Sequence, residues 1–217
     1  MAGELQVAYL HGLGSSPGSA KGLFFRQALQ KNGHYLQLPD LNLPSFEKLT
    51  ISAQVEAVAE MVPAGGPKAV LLGSSLGGLV ALRFALNYPE RVERLCLFCP
   101  ALTIVGDRLA AIVGSSLSQW KSMGYISMMH YSDNKVHRLG YQLVEDARAN
   151  AVGDSILDLP MLVVHGTRDE VIPFESSRAL VERQPQARLV SIEGGDHSLG
   201  GSIFQVWREV KGFVLGT

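Results

Sequence analysis

The chain has no excess of either charge. Its 217 residues carry 19 Lys and Arg against 20 Asp and Glu, a formal net charge of −1. There is no Lys/Arg run either. Proteins that bind nucleic acid or anionic membrane surfaces advertise it with such an excess, so neither partner is expected. Long apolar runs are also missing: no stretch approaches the ~18 uninterrupted residues of a membrane span. The opening Met1-Ala2-Gly3-Glu4 lacks the charged start and apolar run of a secretory leader. These absences lead us to expect a cytoplasmic protein. Cysteine is scarce, with only Cys96 and Cys99. On a strand their spacing puts them on opposite faces, which disfavours a disulfide. A lone Cys-x-x-Cys without partner cysteines is a weak metal or redox signal. Two small buried apolar residues are the simpler reading. No linker, repeat or shift in composition divides the chain, so residues 1–217 are expected to form one domain.

What is present is a rhythm. Apolar residues make up 47% of the chain and fall into short runs separated by longer amphipathic ones. The short runs are Val7–Leu10, Tyr35–Leu38, Ala69–Leu72, Leu95–Phe98, Met161–Val164 and Leu189–Ile192. Several are apolar on both faces, as buried parallel strands are. Helices are predicted at about 19–31, 46–61, 76–87, 174–184 and 202–214, with Pro173 near the start of the fourth and Gly33 as a stop after the first. Strand–helix alternation of this kind predicts an α/β fold, a doubly wound parallel sheet of about six strands. Residues 101–150 break the rhythm. They hold Trp120, Met123, Tyr125, Met128, Met129 and Tyr131 and no clear strand, and are expected to form a small helical lid between the fourth and fifth strands. A plain surface crossover would leave that many aromatics and methionines exposed.

The sharpest signal is Gly73-Ser74-Ser75-Leu76-Gly77, a Gly-x-Ser-x-Gly pattern between a predicted strand and a predicted helix. The tight turn would hold Ser75 in a strained conformation above the sheet edge, at a helix N-terminus that favours developing negative charge. A phosphate-binding loop would need Gly-Lys-Ser/Thr and a dinucleotide fingerprint Gly-x-Gly-x-x-Gly, and the run has neither. Ser75 is the expected nucleophile, since it alone sits at the centre of the glycine frame. Acyl transfer builds an oxyanion that needs two N–H donors. Leu76 supplies one. The loop Tyr9-Leu10-His11-Gly12-Leu13, after the first strand, supplies the other through Leu13. In a flavodoxin-like strand order the first and third strands are neighbours at the switch point, where ligands bind.

A serine hydroxyl needs a base. Of six histidines, His197 in Gly194-Gly195-Asp196-His197-Ser198 follows the last strand, which suits the chain order nucleophile, acid, base. Asp169, in a short turn after the strand 161–164, is the expected acid, with Glu170 the alternative. The acid fixes the imidazole tautomer and stabilises the imidazolium. Asp196 adjoins His197 too closely to orient it and is read as structuring its loop. His165 is read as a buried, hydrogen-bonded turn residue. His130 and His137 either line a substrate path or face solvent, and His34 is read as a strand-start surface residue. For substrate contacts the expected residues are Leu102 and Met128, with His11 a further candidate whose first reading is to fix its loop by hydrogen bonds.

These residues together resemble the α/β-hydrolase superfamily over essentially the whole chain. More narrowly they resemble the small bacterial YqiA-type esterases, through Tyr9-Leu10-His11-Gly12, Ser15-Ser16-Pro17, Ser19-Ala20-Lys21, Gly73–Gly78, Asp169-Glu170-Val171 and Gly194-Gly195-x-His197. The resemblance implies a hydrolase of carboxylic esters or thioesters that needs no cofactor or metal, with Ser75, Asp169 and His197 in the catalytic positions. Larger members begin with two further strands. Only six residues precede Val7, so a minimal core is expected. Near-neutral charge and apolar neighbours point to small uncharged esters as substrates, acylating Ser75. The same machinery could cleave an amide or a carbon–carbon bond, and a non-catalytic small-molecule receptor is the reading from another class. Nothing in the sequence sets the oligomeric state.

Overall fold

A computed structural model describes residues 5–103 and 106–217. Six strands form one sheet: β1 (Gln6–Leu10), β2 (Leu36–Gln37), β3 (Ala69–Ser74), β4 (Val92–Phe98), β7 (Met161–Gly166) and β8 (Ala187–Ile192). Their order is β2-β1-β3-β4-β7-β8, and every pairing is parallel. This is the expected order, with β1 and β3 side by side and Leu10 opposite Gly73.

The central strands β3 and β7 read as apolar runs because both faces are covered. Ala8, Leu71, Leu97 and Val163 enter one core, under α2 (Ile51–Met61) and α3 (Leu76–Asn87). Tyr9, Leu72, Phe98 and Val164 enter the other, under α1 (Ala20–Gln30) and α8 (Ile203–Leu215). The two-residue period of a strand does this sorting. Helix α7 (Phe174–Arg183) packs beside β7 and β8.

Several expectations are corrected. The edge strand is only Leu36–Gln37, and Tyr35 lies outside it, exposed. The helix expected from 46 begins at Ile51, because the Thr50 hydroxyl accepts from the Ala53 N–H and caps it there. Cys96 and Cys99 share one core and do not face opposite ways. Strand β4 ends at Phe98, and Cys99 turns back with φ 44°, which defeats the alternation.

The segment 101–150 is not purely helical. It holds α4 (Asp107–Ile112), α5 (Leu117–Met123) and α6 (Gln142–Ala149), but also an antiparallel hairpin, β5 (Tyr125–His130) with β6 (Lys135–Gly140). Residues 104 and 105, inside the segment, lie outside the described residues. The segment is docked by its own side chains. Trp120 is fully buried and donates its indole N–H to the Leu139 carbonyl. Asp146 accepts from the Ser52 hydroxyl and N–H at the start of α2. The hairpin tip is tied to the loop after β1 by the Tyr131 N–H, which donates to Gly14 O at 2.8 Å. No helix of the described residues is long and apolar enough to cross a membrane.

Candidate active site

Ser75 links β3 to α3 with φ 53° and ψ −118°, a conformation that costs a non-glycine residue of order 1–3 kcal/mol. The surroundings enforce it. Its N–H donates to Phe98 O, and its carbonyl accepts from Gly78, Leu79 and Ala101. The flanking glycines are steric necessities. A Cβ at Gly73 would fall 2.5 Å from Gly77 O, and one at Gly77 would strike the backbone of Leu10 and His11. The glycine frame thus lets α3 start hard against the end of β1, and this sets Ser75 beside the loop that follows β1.

His197 approaches from the loop after β8. Its Nε2 lies 3.0 Å from Ser75 Oγ, and its Nδ1 lies 2.7 Å from Asp169 Oδ2. Asp169 sits in the turn after β7 with its carboxylate buried. Four donors converge on it. Oδ1 accepts from the Val171 and Ile172 N–H groups, and Oδ2 accepts from His197 and from His165 Nε2 at 3.1 Å. Burial pushes this carboxyl up, but the His165 and His197 hydrogen bonds and the Ile172 N–H outweigh it and hold the group well below the usual carboxylate range. Asp169 therefore stays an anion. Its tautomeric consequence is direct. A proton on His197 Nδ1 faces the carboxylate, which leaves Nε2 free to accept from the serine hydroxyl.

His165 has more to do than the sequence reading gave it. It is fully buried, its Nε2 faces both Asp169 Oδ2 and the Ile172 carbonyl, and its Nδ1 faces Ser177 Oγ at 2.7 Å. The signal was its position, four residues before the acid across one turn. Glu170 is exposed and does not touch His197; it lines a neighbouring cavity. Asp196 accepts from the Ser198 hydroxyl and the Leu199 N–H, and so orders the loop that carries His197.

Leu76 occupies the first position of α3, and Leu13 lies in the loop after β1. Neither backbone N–H has an acceptor among the described residues. His11 does not reach the cavity and is corrected as a substrate contact. It is buried, its Nδ1 lies 3.0 Å from Gly12 O, and its Nε2 accepts from the Leu41 N–H. Leu102 is likewise corrected: it packs against the core and lines neither cavity. Met128 does line one. His130 and His137 cluster with Asp133 and Phe46 at the hairpin, away from Ser75. His34 precedes β2, half-buried.

Two cavities meet at the serine. One, of about 500 Å³, is lined by Tyr9, Lys21, Phe24 and Ile203 among others. The second, of about 860 Å³, is lined by Arg108, Ile112, Met128 and Glu170. Both include Leu13, Ser75, Tyr131 and His197. One trio of potential metal ligands occurs among the described residues: Cys99, Asp169 and His197. Burial pushes the Cys99 thiol up to about 12, so it is no thiolate, and Asp169 is already saturated by four donors. The trio does not fit a cation.

A family model described as an uncharacterised protein family, UPF0227, matches residues 6–214. The chain belongs to the UPF0227 family. Among curated proteins, this UPF0227 member is 25% identical to the pimeloyl-[acyl-carrier protein] methyl ester esterase of Neisseria meningitidis serogroup B, over 71% of this chain and 70% of that one. It is 26% identical to the mouse mitochondrial palmitoyl-protein thioesterase ABHD10, over 63% of this chain and 40% of that one. Among solved structures, Est1E from Butyrivibrio proteoclasticus with bound ferulic acid superposes with a TM-score of 0.83 at 20% identity, covering 98% of this chain and 88% of that one. The fold is that of the α/β hydrolases.

Proposed function

We propose that this UPF0227 protein is a serine hydrolase that cleaves small carboxylic esters or thioesters through an acyl-enzyme on Ser75. The observation that carries the proposal is the hydrogen-bonded line Ser75 Oγ–His197–Asp169, at 3.0 and 2.7 Å, beginning at a strained elbow. In this reading His197 Nε2 takes the serine proton as Oγ bonds to the acyl carbon, and the carbonyl π pair moves onto oxygen. The Leu13 and Leu76 N–H groups receive that oxyanion. The pair returns, the bond to the alcohol or thiol breaks, and His197 hands the leaving group its proton. Water, deprotonated by the same imidazole, then releases the acid. Asp169 remains ionised throughout and stabilises the imidazolium.

The esterase and thioesterase names of the relatives support this reaction class. In the same proposal, residues 101–150 act as the lid of a single catalytic domain. Met128 and Tyr131 of the hairpin and Arg108 of α4 line the two cavities, which supports it. The site of action is the cytoplasm, where the two thiols Cys96 and Cys99 stay reduced.

The test is pre-steady-state release of nitrophenol from a short-chain nitrophenyl ester, with fluorophosphonate labelling in parallel. Wild type should give a stoichiometric burst and a label on Ser75, and Ser75→Ala should give neither. Equal release by both proteins sinks the proposal.

A further inference from the structure

Lys21 lies one turn into the site's own architecture, and the proposed chemistry has no task for it. It is the second residue of α1, capped by Ser19. Phe25 and Leu29 follow it at helical spacing and are fully buried, so the helix turns Lys21 inward with its core face. Its ammonium donates to Ser74 Oγ at 3.0 Å and lies 5.7 Å from the centre of the Phe98 ring. Ser74 adjoins the nucleophile. The side chain lines the 500 Å³ cavity that opens from Ser75 and His197.

A lysine in such a place normally has a carboxylate partner. Among the described residues none lies within ion-pair distance of Lys21 Nζ. The ammonium has three donors, and one is used. Apart from His197, the side chains of the wall are hydroxyl and hydrocarbon, among them Tyr9, Ser19, Phe24 and Ile203. A fixed cation with unused donors in that wall is a receptor for an anion.

We propose that Lys21 makes this cavity the acyl subsite for a carboxylate-bearing acyl group, so that preferred substrates are half-esters of short dicarboxylic acids. This rests on the hydrolase reading of Ser75. It replaces the expectation of an uncharged substrate with one in which the acyl chain ends in an anion a few carbons from the ester. The scissile carbonyl sits at Ser75, the chain runs along Phe24 and Ile203, and the carboxylate meets Lys21. A carboxylate at this distance gains a charge-assisted hydrogen bond in a largely desolvated wall. The groups near Lys21 are the Cys99 thiol after β4 and, more distantly, Asp169 and Asp196, while the Tyr9 hydroxyl of β1 bonds the same Ser74. Tyr9 and Cys99 stay neutral, both pushed to about 12 by burial. Burial also lowers Lys21 itself to about 8 against the attraction of the Asp196 and Asp169 carboxylates, so it remains mainly cationic at neutral pH and loses its charge above.

The experiment compares monomethyl succinate, glutarate and adipate with neutral methyl esters of equal chain length, by pH-stat titration of released acid. The readout is the ratio of kcat/KM, anionic over neutral. Wild type should favour the best half-ester, and Lys21→Met should lower the ratio by about 10- to 100-fold. In wild type the ratio should also fall as pH rises through about 8. If Lys21 only braced the end of β3, the variant would slow both substrates together and leave the ratio unchanged. That result overturns the proposal, as does a wild-type enzyme indifferent to the carboxylate. Calorimetry of adipate and glutarate on Ser75→Ala protein reads the anion site without turnover. Equal affinity after adding Lys21→Met overturns the proposal as well. Hydrolysis of neutral esters with labelling of Ser75 shows, in each case, whether the hydrolase reading still stands.

Discussion

His11 Nδ1 lies 3.0 Å from the carbonyl oxygen of Gly12, while its Nε2 accepts from the Leu41 N–H. The second bond requires an unprotonated Nε2, so Nδ1 carries the hydrogen and donates to Gly12 O. Burial supports this neutral form by lowering the imidazole below the ordinary histidine range, against the Gly12 hydrogen bond and the nearby Asp40. Gly12 C=O and Leu13 N–H belong to one planar trans peptide and point in opposite directions. Holding the carbonyl therefore aims the N–H. His11 lines neither cavity, yet in the proposed reaction it sets the donor expected to receive the oxyanion.

His11→Ala should accordingly lower kcat on a nitrophenyl ester by about 10- to 100-fold, less than the loss of a direct donor, with KM changed little. Leaving the Leu41 N–H without its partner should also cost about 1–3 kcal/mol of stability. Steady-state kinetics and thermal melts check the two effects separately. An unchanged kcat would show that the peptide is held by other means.

Ser75→Gly should be inactive and more stable than wild type. The φ of 53° strains serine but not glycine, and the loss of the hydroxyl leaves the elbow's backbone bonds intact. A gain of about 1 kcal/mol in a denaturant titration is expected. A loss of stability would mean that the elbow is not strained.

Asp169→Asn keeps an oxygen for the Val171 and Ile172 N–H groups but can offer an N–H to His197. It should lower kcat by about 10⁴-fold through the wrong tautomer. The carboxyl is held below its unfolded value. Its stabilisation is therefore full above pH ~4 and is lost as pH falls below that. Acid titration of unfolding should show this steep loss in wild type and a flatter curve in the variant.

Lys21→Met should raise the melting temperature at pH 7. Burial lowers this lysine from 10.5 to about 8, so the folded state binds fewer protons than the unfolded state between those values, and wild-type stability rises with pH across that window. The advantage of the variant, about 3 kcal/mol below pH 8, should shrink toward pH 10.5. Melts across pH 7–10.5 measure it, and a constant difference would contradict the assignment.

The sheet was legible because its strands are apolar on both faces, a pattern that only helices on both sides explain. The elbow was legible because glycine at both 73 and 77 has a steric meaning. The hairpin at 125–140 was not legible. Its strands read YISMMH and KVHRLG, mixed in polarity, with one face on the loop at Gly14 and the other toward solvent. Alternation is weak there, and a helical cover was expected because no strand stood out. Lys21, quoted only within the motif Ser19-Ala20-Lys21, was given no role because a lone lysine in a helix usually belongs to the solvated face. Counting from Phe25 and Leu29 places it on the buried one. The choice between Asp169 and Glu170 needed three dimensions: two successive backbone N–H groups and His165 select the first carboxylate, and no spacing rule encodes that.

The shared edge of the two cavities gives the reaction a direction. With Ser75, Leu13, Tyr131 and His197 common to both, an acyl group seated on one side leaves the departing alcohol only the other. In the proposed reaction its exit would empty the chamber beside the imidazole and open a route for water. Bulk added at Ile112 or Met128 would then throttle the traffic of alcohol and water without crowding the acyl chain, so that turnover becomes limited by deacylation.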